Sequence, residues 1–172
     1  MFYKYVYESS IGKILLLAKD ECLVGCYFES GKYYPSHIEQ ETINKKTDVI
    51  EETCRFLDCY FSYAIPVDYP KMELEGTSFQ KEVWKLLLEI PYGETVTYGD
   101  LARKMAVKRN KDKMSSQAIG QAVSKNPISI IVPCHRVIGT NGNLVGYAGG
   151  IDKKKSLLEL EMHGKIDKET VD

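Results

Sequence analysis

The sequence predicts an α+β protein of two parts, with a boundary near residue 75. Before residue 30, three short segments show the alternation and turn residues of an antiparallel sheet. Beyond residue 76, hydroxyl residues followed three positions later by Gln or Asp open helical patterns. The length of 172 residues suits one medium domain or two small ones. We therefore expect an α+β supporting domain over 1–75 and a mainly helical functional domain over 76–172.

The first part is predicted to hold three strands and one amphipathic helix. Its strands alternate polar with apolar or aromatic residues, and Gly12 lies in the turn after the first strand. Its helix has apolar side chains at helical spacing along one face. The predicted elements are strands over 2–7, 13–19 and 22–28, a loop over 31–47, a helix over 48–63 and an edge strand or extended connection over 65–74. None of these segments carries a catalytic signature.

Cysteine usage argues against a metal site in this part. Cys22 and Cys26 resemble a metal-binding pair with His37 nearby, but positions four apart on a strand lie about 13 Å from each other. The chain has five cysteines, an odd number, and its N-terminus lacks a signal-peptide pattern. These features predict free thiols in a reducing compartment, the cytoplasm, or the nucleus if the source is eukaryotic.

The longest apolar run, over 14–18, is too short to span a membrane. We expect no metal, no cofactor and no membrane partner.

The second part is predicted to consist mainly of capped helices. Helices are expected to begin at Thr77, at Thr97, at Ser115 or Ser116, and at Asp152, the last of them ending at Met162. The first helix should bury Val83, Trp84, Leu87 and Leu88. A basic loop over 107–114 joins the second and third helices, and a short buried strand over 128–132 follows them. Two short helices joined in this way indicate either a helix-turn-helix or an ordinary helical hairpin.

Charge is distributed unevenly between the two parts. The net charge is −1, but residues 1–75 contain 8 Lys/Arg and 13 Asp/Glu, while residues 76–172 contain 15 and 11. Seven of the basic residues fall within 103–125, where Asp112 is the single acid. Such a cluster is either a solvated face or a surface for an anionic partner. Its concentration in one region, with acidic groups elsewhere, favours the anionic partner.

One stretch in the C-terminal third contains the residues most suited to catalysis. Residues 131–139 place Cys134 between two apolar runs, followed directly by His135 and Arg136. A thiol attacks only as thiolate, and an ordinary pKa of about 8.5 leaves roughly 3% ionised at neutral pH. His135 or Arg136 would raise that fraction, although neighbours on an extended strand point to opposite faces. From these residues alone, a buried structural cysteine and a nucleophile both stay open.

The run over 133–139, Pro-Cys-His-Arg-Val-Ile-Gly, resembles the active-site motif of the O6-alkylguanine-DNA alkyltransferases, or methylated-DNA–protein-cysteine methyltransferases. Further similar segments, in the family's order, lie at 77–80, 83–84, 91–98, 126–127 and 147–150. The resemblance covers about residues 76–163. It implies an RNase-H-like N-terminal domain, an antiparallel sheet with a helix. It also implies a C-terminal DNA-binding and alkyl-transfer domain with a winged-helix-like helix-turn-helix.

The resemblance implies DNA repair by direct alkyl transfer. A monomer would bind double-stranded DNA through the minor groove and flip an O6-alkylguanine, or more weakly an O4-alkylthymine, out of the stack. Cys134 would then keep the alkyl group irreversibly, with one turnover per molecule. His135 would draw the thiol proton through a water, and Glu161 would orient His135. The phenol of Tyr98 would donate a proton to guanine N3 as the base leaves.

The resemblance also assigns binding residues. The expected DNA-binding residues are Ser116, Gln117, Ala118, Arg136 and Tyr98. The expected substrate-pocket residues are Asn126, Val145, Tyr147, Ala148, Gly149 and Lys154. Within the pocket, backbone around Val145 and Ala148 would hold the base edge, whereas Asn126 would stiffen the turn beneath the site.

One position departs from the family pattern. Gln117 falls where the family has an arginine that enters the base stack and fills the space of the flipped base. Glutamine is shorter and uncharged, but it can still hydrogen-bond the orphaned cytosine. We predict weaker flipping or weaker DNA affinity, with Arg109 or Lys113 compensating.

Three other functions are consistent with parts of the sequence. Alkyltransferase-like proteins recognise the lesion without removing it, but they replace the nucleophile, commonly with Trp, whereas this chain keeps Cys134. A DNA-binding regulator would use the helices over 97–124, but the chain shows no extra sensor or activation domain. A thiol hydrolase would use the Cys-His pair, but it would turn over repeatedly. An alkyltransferase should stop after one alkyl group per chain.

Overall fold

The structure is a computed structural model that describes residues 1–35 and 41–171. Its strands are β1 (Phe2–Ser9), β2 (Gly12–Lys19), β3 (Cys22–Phe28), β4 (Thr42–Asn44), β5 (Val96–Thr97) and β6 (Val137–Ile138). Its α-helices are α1 (Asp48–Phe61), α2 (Ser78–Leu88), α3 (Tyr98–Lys108), α4 (Ser116–Ser124) and α5 (Ile151–Val171). Strands and helices are thus combined as an α+β fold, as predicted, and the helices dominate after residue 76. His37, considered above beside Cys22 and Cys26, lies outside the described residues.

The N-terminal part is a four-stranded sheet in the order β3-β2-β1-β4. β1 pairs antiparallel with β2, and β2 pairs antiparallel with β3, so the predicted meander is confirmed. β4 was not predicted, and the loop expected over 31–47 is therefore interrupted. It runs parallel to β1 and pairs only with the first three residues of that strand. A three-residue strand is too short to give a periodic signal in the sequence.

α1 packs against the core-facing side of this sheet. Its buried residues include Ile50, Leu57 and Tyr60, which belong to the same hydrophobic cluster as apolar side chains of β2 and β3. The helix predicted over 48–63 is confirmed, and it ends two residues earlier than expected. The segment over 65–74 is an extended connection, joined to β3 by a single bridge between Leu23 and Met72. α1 therefore presents one apolar face, and Tyr60 with it, to the interior of the molecule.

α2 begins at the predicted capping box. The Thr77 hydroxyl accepts from the Gln80 backbone N–H at 3.1 Å, and the Gln80 side chain accepts from the Thr77 N–H at 3.0 Å. The indole of Trp84 donates to the Ala122 carbonyl at 2.8 Å, which ties α2 to α4. One expectation fails, because Leu88 is 36% exposed. Leu86 is buried in its place, because Val83, Leu86 and Leu87 follow the i, i+3, i+4 spacing of a single helix face.

α3 and α4 form the predicted pair of short capped helices. Thr97 and Asp100 make a second capping box, and the Ser115 hydroxyl caps α4 by accepting from the Ala118 N–H at 3.2 Å. α3 runs through Lys108, so the basic loop begins later than the predicted residue 107. The two helices pack against each other and against α2. Their identity as a helix-turn-helix stays a prediction.

The segment over 128–132 is buried, but it is not the strand that was predicted. Ile128 forms a single bridge to Cys26, and the chain then turns. Ile130 adopts a φ of 72°, a left-handed conformation that is rare for a β-branched residue. The apolar composition of 128–132 reflects burial, which a turn inside the molecule shares with a buried strand. Composition alone therefore could not distinguish the two. Cys134 consequently opens a short 3-10 helix, Cys134–Arg136.

Two contacts bring the remaining elements to that 3-10 helix. β6 pairs in parallel with β5, so the start of α3 lies beside the turn that carries the cysteine. α5 packs against the 3-10 helix from the other side. α5 continues beyond Met162, the residue at which the helix was predicted to end. Among the described helices, none has the length and apolar character needed to cross a membrane.

Candidate active site

Cys134 lies in a rigid, mostly buried turn. It is 5% exposed, and its backbone N–H donates to the Val132 carbonyl at 2.8 Å. Asn126 braces the same turn from beneath. Its side-chain amide donates to the carbonyls of Val132, at 2.8 Å, and Ile128, at 3.2 Å. Its side-chain oxygen accepts from the Ile128 N–H at 3.0 Å. These three bonds fix the path of the backbone that leads to the cysteine, the role expected for Asn126.

The environment of Cys134 controls its ionisation. Burial raises the pKa of the Cys134 thiol to about 11. A hydrogen bond from the Asn126 side chain, the charge of Lys154 and the backbone N–H groups of Cys134 and His135 act in the opposite direction. At neutral pH the resting group is therefore a thiol, and attack requires that its proton be removed as the reaction begins.

His135 can receive that proton. It is fully buried, and burial lowers its pKa, so the imidazole is neutral at neutral pH. Its Nε2 atom is hydrogen-bonded to Glu161 Oε2. Its Nδ1 atom has no hydrogen-bond partner among the described residues. A 3-10 turn, unlike an extended strand, does not force consecutive side chains to opposite faces.

Glu161 is the centre of a buried polar cluster. It is 1% exposed, and four polar groups contact its carboxylate. They are His135 Nε2, Tyr60 Oη at 2.6 Å, Arg136 Nε at 2.7 Å and the Gly93 backbone N–H at 3.0 Å. Burial alone would raise the pKa of Glu161, but His135 and Arg136 outweigh it and lower the pKa to about 2. Glu161 is therefore a carboxylate at neutral pH.

Arg136 occupies a different place from the one expected. It is 7% exposed, and its guanidinium donates to Glu161 and, at 2.7 Å, to the Ile90 carbonyl. The side chain therefore points into the protein and not to a DNA-facing surface. We reassign Arg136 to the support of Glu161, since a buried carboxylate needs a charged, hydrogen-bonded partner. The assignment of Arg136 to DNA came from the family resemblance, which does not show where the side chain points.

Tyr98 and Lys154 meet at one backbone carbonyl beside the cysteine turn. The Tyr98 hydroxyl donates to the Val145 carbonyl at 3.1 Å, and the Lys154 ammonium donates to the same oxygen at 2.8 Å. The ammonium also lies 5.8 Å from the centre of the Tyr98 ring. Burial raises the pKa of Tyr98 to about 12, so its hydroxyl stays a proton donor at neutral pH. Burial lowers the pKa of Lys154 to about 8, whereas Cys134 acts to raise it.

The other expected pocket residues line the glycine-rich loop before α5. Tyr147 is 8% exposed, and its ring packs edge-on against Phe28 at 6.3 Å between centroids. It therefore supports the loop from inside. The Ala148 carbonyl accepts from the Lys32 N–H at 2.7 Å, and a side chain at Gly149 would collide with Phe28 and Tyr147. The loop is thus packed closely against the first part of the chain.

The expected DNA-binding residues of α4 lie at its exposed N-terminal end. Ser116 and Gln117 are exposed, and Ala118 is half-buried. Arg109, proposed to compensate for Gln117, is already engaged. It donates to Glu82 at 2.8 Å, and its guanidinium lies 5.1 Å from the centre of the Phe79 ring. These contacts make Arg109 a weak candidate for compensation.

Sequence reasoning missed one residue of the polar cluster. Tyr60 lies in the helix predicted over 48–63, to which no functional role was assigned, yet its hydroxyl contacts Glu161, 101 residues away in the chain. The available signal was the tyrosine itself, because a buried phenol needs a hydrogen-bond partner. Within residues 1–35 and 41–164, no three His, Cys, Asp or Glu side chains come together in a way that could hold a metal ion.

Comparison with known proteins identifies the family. Residues 78–163 match the model of the 6-O-methylguanine DNA methyltransferase DNA-binding domain. The chain is 44% identical to the methylated-DNA–protein-cysteine methyltransferase of Methanosarcina acetivorans, over 92% of this chain and 97% of the relative. The chain belongs to the methylated-DNA–protein-cysteine methyltransferase family. The corresponding protein of Mycobacterium leprae is 40% identical over 91% of this chain and 90% of its own length.

Solved structures of a methyltransferase extend the similarity to the whole fold. The crystal structure of Mycobacterium tuberculosis O6-methylguanine methyltransferase superposes with a TM-score of 0.81 at 37% identity, covering 95% of this chain and 94% of that one. A structure of the same Mycobacterium tuberculosis protein in complex with DNA gives a TM-score of 0.82 at 35% identity, with 94% of each chain covered. The similarity therefore includes the N-terminal sheet as well as the methyltransferase motif.

Proposed function

We propose that this protein repairs O6-alkylguanine in DNA, and O4-alkylthymine more weakly, by moving the alkyl group to Cys134. The observation that carries the proposal is the buried series Cys134, His135 and Glu161, whose order suits removal of the thiol proton. Cys134 is close enough to Tyr98 to interact with it electrostatically, and the Tyr98 hydroxyl is a proton donor at neutral pH. A thiol that is neutral at rest and next to a neutral imidazole suits a reaction that begins only when substrate arrives.

The atoms balance in a single displacement. His135 Nδ1 accepts the thiol proton, directly or through one water, and Glu161 stabilises the imidazolium that forms. The sulfur attacks the alkyl carbon, forming a C–S bond while the bond between carbon and O6 breaks. The electron pair moves into the guanine, which takes a proton at N3 from Tyr98. The phenolate left on Tyr98 takes a proton from solvent, and the imidazolium of His135 returns one to it. Lys154 faces the forming thiolate and the Tyr98 ring, where its positive charge offsets the developing negative charge.

The product explains a stoichiometric reaction. A thioether carbon is a poor electrophile, and Cys134 is 5% exposed in a turn fixed by Asn126. Water therefore cannot readily release the alkyl group, because the thiolate is a poor leaving group and the sulfur is hard to reach. One molecule is expected to repair one base and then to stay alkylated, unlike a thiol hydrolase.

The DNA is proposed to bind across α3 and α4 as a helix-turn-helix of winged-helix type. α4 would approach the minor groove through Ser116, Gln117 and Ala118, while exposed lysines of the basic loop contact phosphates. Flipping would bring the alkylated base between Tyr98 and the backbone around Val145. The Tyr98 hydroxyl would then exchange the Val145 carbonyl for guanine N3. We propose that the protein does so as a monomer in the cytoplasm, on an RNase-H-like N-terminal support.

Mass spectrometry tests the proposal directly. The protein is incubated with duplex DNA containing one O6-methylguanine, and the intact chain and its peptides are weighed. We expect a gain of one methyl group on Cys134, restored guanine in the DNA, and no gain in Cys134→Ala. An excess of lesion should not raise the yield beyond one methyl per chain. If the protein mass stays unchanged while product continues to form, the protein is a hydrolase. If the protein binds DNA but forms no product, it is a regulator.

A further inference from the structure

Tyr60 links the N-terminal helix to the proposed reaction centre. It lies near the end of α1, is 1% exposed, and donates its hydroxyl hydrogen to Glu161 Oε2 at 2.6 Å. The same oxygen of Tyr60 lies 3.5 Å from His135 Nε2. Its ring packs edge-on against Tyr92 and His135, with centroids 6.1 and 6.4 Å apart. The phenol is thus held in place both by its polar contact and by its packing.

The contact has a consequence for the protonation of His135. Glu161 Oε2 accepts from Tyr60 and also touches His135 Nε2. An ionised carboxylate has only lone pairs to offer, so Nε2 must bring its own hydrogen to that contact. The proton of a neutral imidazole therefore sits on Nε2, and Nδ1 keeps the lone pair that can accept the thiol proton. Among the described residues, Nδ1 has no other hydrogen-bond partner.

Tyr60 is what limits the movement of this carboxylate on the Oε2 side. Arg136 and the Gly93 N–H hold the Oε1 atom, at 2.7 and 3.0 Å. Without the phenol, the His135 ring would be the sole donor to Oε2, and carboxylate and imidazole could rotate together. Burial and Glu161 keep the pKa of Tyr60 well above its ordinary value, so the phenol stays a donor across the neutral range.

We propose that Tyr60 is a positioning residue for alkyl transfer, which holds Glu161 so that His135 keeps its proton on Nε2 and its acceptor on Nδ1. The inference rests on the proposed function of Cys134. It also gives the N-terminal part a direct share in the reaction. Tyr60 touches neither DNA nor the reacting sulfur in this scheme, so its removal should alter the rate of transfer and leave DNA affinity unchanged.

The test compares two phenol deletions in the full chain. Tyr60→Phe keeps the ring and removes the hydroxyl that contacts Glu161. Tyr7→Phe is the matched control, because it removes a phenol–carboxylate bond of the same 2.6 Å length. That bond joins Tyr7 of β1 to Asp58 of α1 and is exposed to solvent. Single-turnover methyl transfer is measured from O6-methylguanine DNA across pH, together with DNA affinity and thermal unfolding. Rates are compared at a temperature at which all variants are folded.

We expect Tyr60→Phe to slow methyl transfer about tenfold, which corresponds to about 1.4 kcal/mol of activation free energy. Tyr7→Phe should stay within twofold of wild type, and both variants should bind DNA normally. The ring nitrogens of His135 provide a second readout by ¹⁵N NMR, since the chain has only three histidines. Wild type should show the Nε2–H tautomer, and Tyr60→Phe a mixture of the two tautomers.

Several results would overturn the inference while leaving the proposed function intact. A Tyr60→Phe rate within twofold of wild type would do so, as would the Nδ1–H tautomer in wild type itself. The double variant Tyr60→Phe, Glu161→Gln provides a further criterion. If Tyr60 acts through Glu161, adding Tyr60→Phe to Glu161→Gln should lower the methyl-transfer rate only slightly further. A further tenfold loss of rate would mean that Tyr60 has another role. If wild type transfers no methyl group, it is the proposed function that fails.

Discussion

At the scale of single residues, the site depends on one carboxylate whose hydrogen-bonding capacity is filled. Buried ions destabilise a protein unless their charge is matched and their lone pairs are satisfied. Glu161 meets both conditions, because Arg136 balances its charge and Tyr60, His135 and Gly93 complete its contacts. The same cluster also serves the proposed reaction, because the hydrogen-bonded Glu161 carboxylate orients the imidazole of His135. Stability and reactivity are consequently coupled at this position.

Glu161 should make the stability of the protein depend on acid. Its pKa is about 2 in the folded protein against an ordinary 4.5, so unfolded chains bind a proton more readily. Its contribution, on the order of 3 kcal/mol at 1.4 kcal/mol per pKa unit, is complete above about pH 5 and is lost as pH falls toward 2. Urea unfolding at stepped pH should show Glu161→Gln destabilised at pH 7, with a flatter acid dependence than wild type.

The matched control for that experiment is Glu159→Gln, an exposed carboxylate two residues earlier on α5. It removes the same formal charge without touching the buried cluster, and should retain the wild-type acid dependence. An equal effect of the two substitutions would show that general charge, and not the Glu161 contacts, controls acid stability.

Sequence could predict the residues of the site that belong to a contiguous motif, and little of their surroundings. Cys134 and His135 stand together in a specific run, so their importance follows from the sequence. The role of Arg136 does not follow, because an arginine next to a histidine can point to DNA or to a buried acid. Tyr60 could not be paired with Glu161 either, since only the tertiary fold brings the two together across 101 positions.

At the scale of elements, helices with polar start signals were predictable and the irregular segments were not. The capping boxes at Thr77 and Thr97 use local hydrogen bonds, so a four-residue pattern determines them. The buried segment over 128–132 has the composition of a strand but turns at Ile130, because its course depends on Asn126 and on contacts from β3. Local patterns thus located the helices and missed the turn that carries the nucleophile.

The exposed end of α4 carries Gln117, the position at which the sequence is predicted to depart from the family pattern. Gln117→Arg should tighten binding to DNA by roughly fivefold or more, since an arginine contact to DNA contributes about 1–3 kcal/mol. It should also speed repair wherever base flipping limits the rate. Gln121→Arg is the matched control, because it adds the same charge at an exposed position one turn later on α4. Binding is measured with lesion and normal duplexes over a range of salt concentration.

The two variants separate a specific effect from a general one. A gain for Gln117→Arg that exceeds the gain for Gln121→Arg and survives moderate salt indicates insertion at the lesion. Equal gains that vanish with salt would mean that only net charge changed. If Gln117→Arg altered neither affinity nor repair rate, glutamine would have to be an adequate substitute at this position.

At the scale of the whole molecule, the two predicted parts share one hydrophobic core. Buried residues from the sheet and α1 form a single cluster with those of α2, α3 and α4. Polar contacts cross the same boundary, as Cys26 pairs with residues on either side of Ile128 and Tyr60 reaches Glu161. The compositional change near residue 75 therefore marks a change of element type and charge. The division of the chain into two domains stays a prediction.

Unfolding experiments can decide whether that division has energetic meaning. Trp84 is the single tryptophan and is 1% exposed in the second part, while Cys26 and Cys54 are buried thiols in the first. Trp84 fluorescence and pulsed thiol labelling, resolved by peptide mass, are followed over one urea series. Because the core and the Tyr60–Glu161 contact join the parts, we expect coincident midpoints, as in a two-state transition. Earlier labelling of Cys26 and Cys54, with Trp84 still native, would mean that the N-terminal part unfolds alone and that the shared core does not couple the two.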